Sequence, residues 1–269
     1  MTTVAATGPI AVGAPTVLRL AVDEARRLLR HPVMLIGFGL WVAVTIDSFL
    51  HEIKVVQASE MIDATLSFFP GVPAVLAAHL VATRDRRAGT LDLLATTPAR
   101  AEERVRALCL APLAPALVAL LLNTAVFAVL RHNGEFAVIP PMWHVVQAPL
   151  TVLGGGLLGM MVGVWAPTPV APVLAIVGMV GLHVAVAEKV TAQLFAPLVQ
   201  WASWGIYDGS VWVGWFPGSS AWHVVYVVGL CGLAAGAALL RVAERRGPAL
   251  LVGITALALA VVGGVGQLP

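Results

Sequence analysis

Three titratable side chains stand inside or at the edges of long apolar runs: Asp47, His79 and His183. A charge at the centre of a membrane helix costs about 2.5–3.5 kcal/mol on insertion scales, so each must reach water, find a partner or face a polar cavity. Asp47 falls near the end of its run, where a carboxylate snorkels to water. His79 precedes Arg84 by little more than a turn and borders the basic end of its run. His183 is the better candidate for a cavity-facing polar group, against the commoner state of a neutral histidine packed between helices. Little else has catalytic spacing. There is no GxxxxGK[ST] phosphate loop, no GxSxG elbow, no HExxH and no carboxylate pair at helical spacing within a run, which argues against a hydrolase or metalloprotease. The seven histidines are scattered, and Cys109 and Cys231 lie in apolar runs without CxxC spacing, as small core residues. The expectation is a chain with no catalytic residue, no metal and no cofactor bound by the chain itself.

The elements that position these residues follow from composition. Hydrophobic residues make up 59% of the 269 positions and charged residues 11%, less than half the roughly 25% charge of soluble domains. The bilayer is therefore the expected solvent. Seven runs approach the length needed to cross about 30 Å of hydrocarbon: 32–50, 64–83, 105–130, 148–165, 170–187, 221–240 and 248–266. Thirteen of the sixteen Lys and Arg side chains precede the first run, follow the second or follow the sixth, and only Lys54, Arg131 and Lys189 fall on the other side. That bias places the N-terminus in the cytoplasm and, with seven spans, the C-terminus outside. Basic residues at span ends are accounted for by the anionic inner leaflet, so nucleic-acid binding is disfavoured. The first 13 residues carry no basic segment ahead of an apolar one and are read as a flexible cytoplasmic N-terminus without a signal peptide.

Residues 14–31 differ in kind from the spans. Val17, Leu18, Ala21, Val22, Ala25, Leu28 and Leu29 fill one arc of a helical wheel and Arg19, Asp23, Arg26, Arg27 and Arg30 the other, the pattern of an amphipathic helix lying on the inner leaflet. Leu20 and Glu24 are its two imperfections, and Asp23 and Arg27 have i,i+4 spacing for an ion pair. Residues 188–220 are too apolar and aromatic for an ordinary loop. Trp201, Trp204, Trp212 and Trp215 suit the headgroup level, in a re-entrant or interfacial helical pair. Gly155, Gly159 and Gly163 form one close-packing face, Gly232 and Gly236 another, both read as packing within the protomer. Pro112 and Pro115 should kink the third span.

The densest pattern is Arg84-Asp85-Arg86-Arg87-Ala88-Gly89-Thr90-Leu91-Asp92-Leu93-Leu94-Ala95-Thr96-Thr97-Pro98-Ala99-Arg100-Ala101-Glu102. Its own chemistry suggests a corner between two helices: Thr90 can cap a short helix through Leu94 with Asp92 at its positive end, and Thr97-Pro98 can start the next. The stretch resembles the first cytoplasmic loop of the ABC type-2 exporter permeases, with its charged run, Gly-Thr, acidic residue among leucines, Thr-Pro and following glutamate. The resemblance covers the amphipathic helix, six spans and the aromatic external segment. It departs from the family where Val105-Arg106 stands in place of a common Gly-Lys, and where 248–269 adds a seventh span.

The resemblance implies an all-α integral membrane protein of the bacterial cytoplasmic membrane, with a six-span permease core over 32–247 containing a coupling loop at 84–104. Gly89, Thr90, Leu91, Asp92, Leu93, Leu94, Thr97 and Pro98 would dock on separate ABC ATPase subunits that bind ATP and Mg. A second permease, identical or different, would complete the transporter, and Asp47 and His183 are the candidates for the substrate path. The rival readings are a membrane-embedded enzyme acting on lipid and a non-transporting anchor subunit.

Overall fold

An apolar segment in hydrocarbon must satisfy its backbone amides and carbonyls internally, which makes helices of these runs. The computed structural model describes residues 14–51, 62, 65, 67–90, 92, 99–136, 139–186, 206–207, 212–213 and 219–268. In chain order its helices are α1 (Ala14–Leu29), α2 (Pro32–Leu50), α3 (Val72–Ala82), α4 (Arg84–Arg87), α5 (Ala101–Leu110), α6 (Leu113–Asn133), α7 (Met142–Trp165), α8 (Ala171–Val186), α9 (Ser220–Val242) and α10 (Arg246–Gly266). A wide π turn, Ser67–Gly71, leads into α3 around Pro70. Among the described residues, five segments are long and apolar enough to cross a membrane: Pro32–Leu50, Ala101–Asn133, Met142–Trp165, Ala221–Val242 and Arg246–Gly266. Leu35, Ile36 and Ile46 of α2, and Leu251, Ile254 and Val265 of α10, are more than half exposed, as side chains facing lipid would be. The chain is a membrane-embedded helical protein. Two shorter apolar helices, Phe68–Ala82 and Ala171–Leu182, stand where the second and fifth runs were expected.

Helix α7 is the centre, packed against α3, α6 and α9. Its glycine face is what permits the approach. A Cβ on Gly163 would come within 2.8 Å of the Ala82 methyl, one on Gly155 would meet the Gly71 carbonyl, and one on Gly159 the Val75 carbonyl. On its other side Gly156 abuts Pro112. Helices α9 and α10 form a second close pair, with Gly232 against Ala256 and Gly229 and Gly263 against facing backbone. Both glycine faces thus serve packing within the chain. His223 Nδ1 and Gln267 Oε1, 2.6 Å apart and buried, close one end of that pair. Proline breaks the third run as its chemistry requires: a turn at Ala111-Pro112 separates α5 from α6, while Pro115 fits in the first turn of α6.

Helix α1 packs chiefly on α5, with Ala21, Glu24 and Leu28 buried and Leu18 and Val22 exposed. Three expectations are corrected. The ion pairs of α1 are Arg26–Asp23 at 3.7 Å and Arg27–Glu24 at 2.9 Å, not Asp23–Arg27. The helix after the basic loop begins at Ala101 rather than at Pro98, because the Arg100 amide donates to the Glu103 carboxylate at 2.9 Å and fixes the first turn there. In the aromatic segment the described residues pair as a short antiparallel ribbon instead of helices, Ile206 opposite Val213 and Tyr207 opposite Trp212. Those four residues are β-branched or aromatic, and Asp208-Gly209 between them is a turn dipeptide. Trp201, Trp204 and Trp215 lie outside the described residues, as does 1–13.

Candidate functional site

Most of the described charged residues gather at one end of the helical layer, where ion pairs join segments far apart in sequence. Glu24, the imperfection on the apolar arc of α1, is the centre of the first cluster. Its carboxylate takes both terminal nitrogens of Arg84, Nη1 to Oε2 and Nη2 to Oε1 at 2.7 Å, and also Arg27 at 2.9 Å. The Glu24 side chain is 8% exposed and that of Arg84 34%. Two-pronged pairing of this kind fixes orientation as well as position. Burial works against the charged guanidinium of Arg84, but the hydrogen bonds and negative charge of Glu24, with those of Asp85, reverse that effect and raise its pKa. The cluster borders a cavity of about 260 Å³ between α1, α3, α4 and α5.

The connecting loop leaves this anchor through a closed corner. The Gly89 amide donates to the Arg86 carbonyl at 3.2 Å, and the Thr90 amide to the Asp85 carbonyl at 3.0 Å. Gly89 sits between them at φ +67°, the left-handed conformation that glycine adopts without a Cβ penalty. This double bond pattern is a Schellman ending for α4. The Thr90 hydroxyl adds a third bond to Asp85, at 3.2 Å. The threonine therefore closes the helix behind it. Gly89 and Asp92 are exposed beyond that corner. Leu91, Leu93, Leu94, Thr97 and Pro98 lie outside the described residues.

A second ionic cluster holds the far end of the loop. Arg100 pairs with Glu244, in the turn between α9 and α10, at 3.2 Å. Glu102 accepts from the Glu244 amide at 3.3 Å and pairs with Arg106. The loop is thus tied at Arg84 to α1 and at Arg100 to the α9–α10 turn, which places all three basic segments at one end of the molecule. Sequence reasoning missed Glu24, Glu102 and Glu244 as partners. The signal available was the single acidic residue on an otherwise apolar arc.

The two residues proposed for a polar path are not brought together by anything described. Asp47 is exposed near the end of α2, 3.6 Å from His51 Nδ1, and its backbone carbonyl accepts from the His51 amide at 3.2 Å. The His183 position is on α8, and its side chain lies outside the described residues. His79 is fully buried on α3, where its imidazole meets the Thr168 backbone. Its Nδ1 has no hydrogen-bond partner among the described residues. More polar groups are buried than the sequence suggested, with Asn123 on α6 donating to the Val145 carbonyl at 2.9 Å, and His144, Gln147 and Thr151 stacked along α7. Comparison with protein-family models, with curated proteins and with solved structures returns no match.

Proposed function

We propose that the chain is the membrane-spanning permease subunit of an ATP-driven exporter, coupled through the 84–104 loop to a separate ATPase. The observation carrying this reading is the two-ended clamp. A loop whose only task was to join two spans would need no anchoring, yet this one is fixed by Arg84 to α1 and by Arg100 to the α9–α10 turn, with Gly89 and Asp92 facing solvent between. A segment held at both ends transmits a push from a docked partner into α1, α3 and α5 instead of dissipating it. The likeness of the 84–102 sequence to the coupling loop of type-2 exporter permeases supports the same reading. In it the two shorter apolar helices also span, giving seven crossings, and the basic end faces the cytoplasm of a bacterial cell. A second permease completes the path, and ATP and Mg bind only in the partner.

The test is co-purification from native membranes. The wild-type chain should bring down a subunit with a phosphate loop, Leu93→Asp should lose it, and Arg131→Ala, at the opposite end, should retain it. Leucines seated in a partner groove contribute roughly 1.5–3 kcal/mol each, so one charge among them reduces association by tenfold or more. If normally inserted Leu93→Asp protein retains the ATPase in full, the coupling assignment is wrong.

A further inference from the structure

We propose that a cleft between α5–α6 and α9–α10 is a seat for one phospholipid of the leaflet at the basic end. This does not rest on the transporter reading, only on the chain being membrane-embedded. The cleft encloses about 590 Å³, within the roughly 300–1,000 Å³ of ligand sites. Its floor is Leu153 and Leu157 of α7, and one wall is a stripe on α9 running from Val228 through Cys231 and Ala235 to Leu239. The opposite wall, Cys109, Leu110 and Leu113, continues across the Ala111-Pro112 turn. From Leu239 to Val228 is eleven residues, or ~16 Å at 1.5 Å per residue. That depth matches one leaflet, half of the ~30 Å hydrocarbon core. An acyl chain entering from the basic end therefore fits it lengthwise.

What distinguishes this cleft from ordinary lipid-facing surface is its mouth. Glu102, Arg106 and Pro248 line the cleft and also a polar chamber of about 320 Å³ beyond it. The chamber is bordered by three arginines, Arg100, Arg106 and Arg245, and three glutamates, Glu102, Glu103 and Glu244. Arg106 pairs with Glu102 and Arg100 with Glu244, while Glu103 accepts the Arg100 amide. Arg245 forms no ion pair among the described residues and is exposed at the chamber edge. It supplies the cation for a phosphate, with Arg106 lining the same chamber. An apolar slot one leaflet deep, continuous with a chamber that holds one guanidinium, Arg245, and one carboxylate, Glu103, outside the ion pairs among the described residues, is complementary to a zwitterionic phospholipid with its phosphate toward the arginine and its ammonium toward the glutamate.

Native mass spectrometry of the full chain in detergent, after delipidation and titration with palmitoyl-oleoyl phosphatidylethanolamine, tests this. One phospholipid should bind tightly. Ala235→Trp and, as a milder block on an exposed wall residue, Leu113→Trp should each weaken binding at least tenfold. Arg106→Gln combined with Arg245→Gln should do the same, and diacylglycerol with the same chains should bind at least tenfold more weakly than the phospholipid. Leu117→Trp, on α6 outside the cleft, should bind normally. Equal binding by diacylglycerol, equal loss in Leu117→Trp, unchanged binding in both tryptophan variants, or a lipid-free cleft covered by a second copy would overturn the proposal.

Discussion

Glu24 is buried and holds two arginines from different segments. Removing it leaves Arg84 without its main counter-charge. Glu24→Ala should therefore lower the thermal midpoint in detergent, with a cost of about 1–3 kcal/mol, held below the fully buried case because Arg84 is one-third exposed. Glu24→Gln, which keeps hydrogen-bond acceptance, should lose less, and an unchanged midpoint in both would remove the clamp. A second residue-scale prediction concerns His31, which caps α2 by accepting the Val33 amide on Nδ1 at 3.3 Å. Burial, and then the charge of Arg87, holds the imidazole below its usual pKa. A depressed histidine favours the fold when neutral, so its contribution is complete above an unfolded pKa of about 6.5 and is lost as pH falls below it toward the lower folded value. The thermal midpoint should drop more between pH 7.5 and pH 5 in the wild type than in His31→Asn, a capping residue that does not titrate. Glu24 was visible in the sequence as an acid on an apolar arc, but its partner lies 60 residues away, and no local period records a pair of that separation.

At the scale of elements, close approach is what holds α7 to α3. Gly159→Ala would set a methyl group against the Val75 carbonyl and the Ala78 methyl, which together leave it no room. It should destabilise the protein by about 1–3 kcal/mol, the usual cost of overpacking. Gly178→Ala and Gly181→Ala on α8 meet nothing within 4 Å and should be neutral or stabilising by up to ~1 kcal/mol. Denaturation midpoints of the three variants decide it, and equal effects at all three positions would dissolve the distinction. These elements were largely legible: continuous apolarity located the helices, Pro112 located the break and the GxxxGxxxG spacing located the tightest face. The start of α5 was not, because Thr97-Pro98 offered a plausible opening while Glu103 captures the Arg100 amide three residues later. The ribbon at Ile206–Tyr207 was not legible because aromatic richness suits an interfacial helix as well as a strand, and the turn-favouring dipeptide Asp208-Gly209 is a short signal beside it.

For the whole molecule, the ion pairs from Glu24 to Arg84 and from Arg100 to Glu244 gather three basic segments at one end, the arrangement that the proposed cytoplasmic facing of that end requires. With the native cysteines replaced, single cysteines at Arg86 and at the exposed Leu268 should label from opposite faces of sealed vesicles with an impermeant reagent. Same-side labelling would remove one crossing and with it the seven-span proposal. If, as proposed, an ATPase acts on this chain through the clamped loop, ATP hydrolysis by the co-purified complex in proteoliposomes reads that action directly. Hydrolysis should fall at least tenfold when Glu24→Ala and Arg100→Ala release both ends of the loop, with insertion unchanged and Arg131→Ala at wild-type rate. Hydrolysis that is absent from the wild-type complex, or that proceeds unchanged with the loop released, would contradict the proposal.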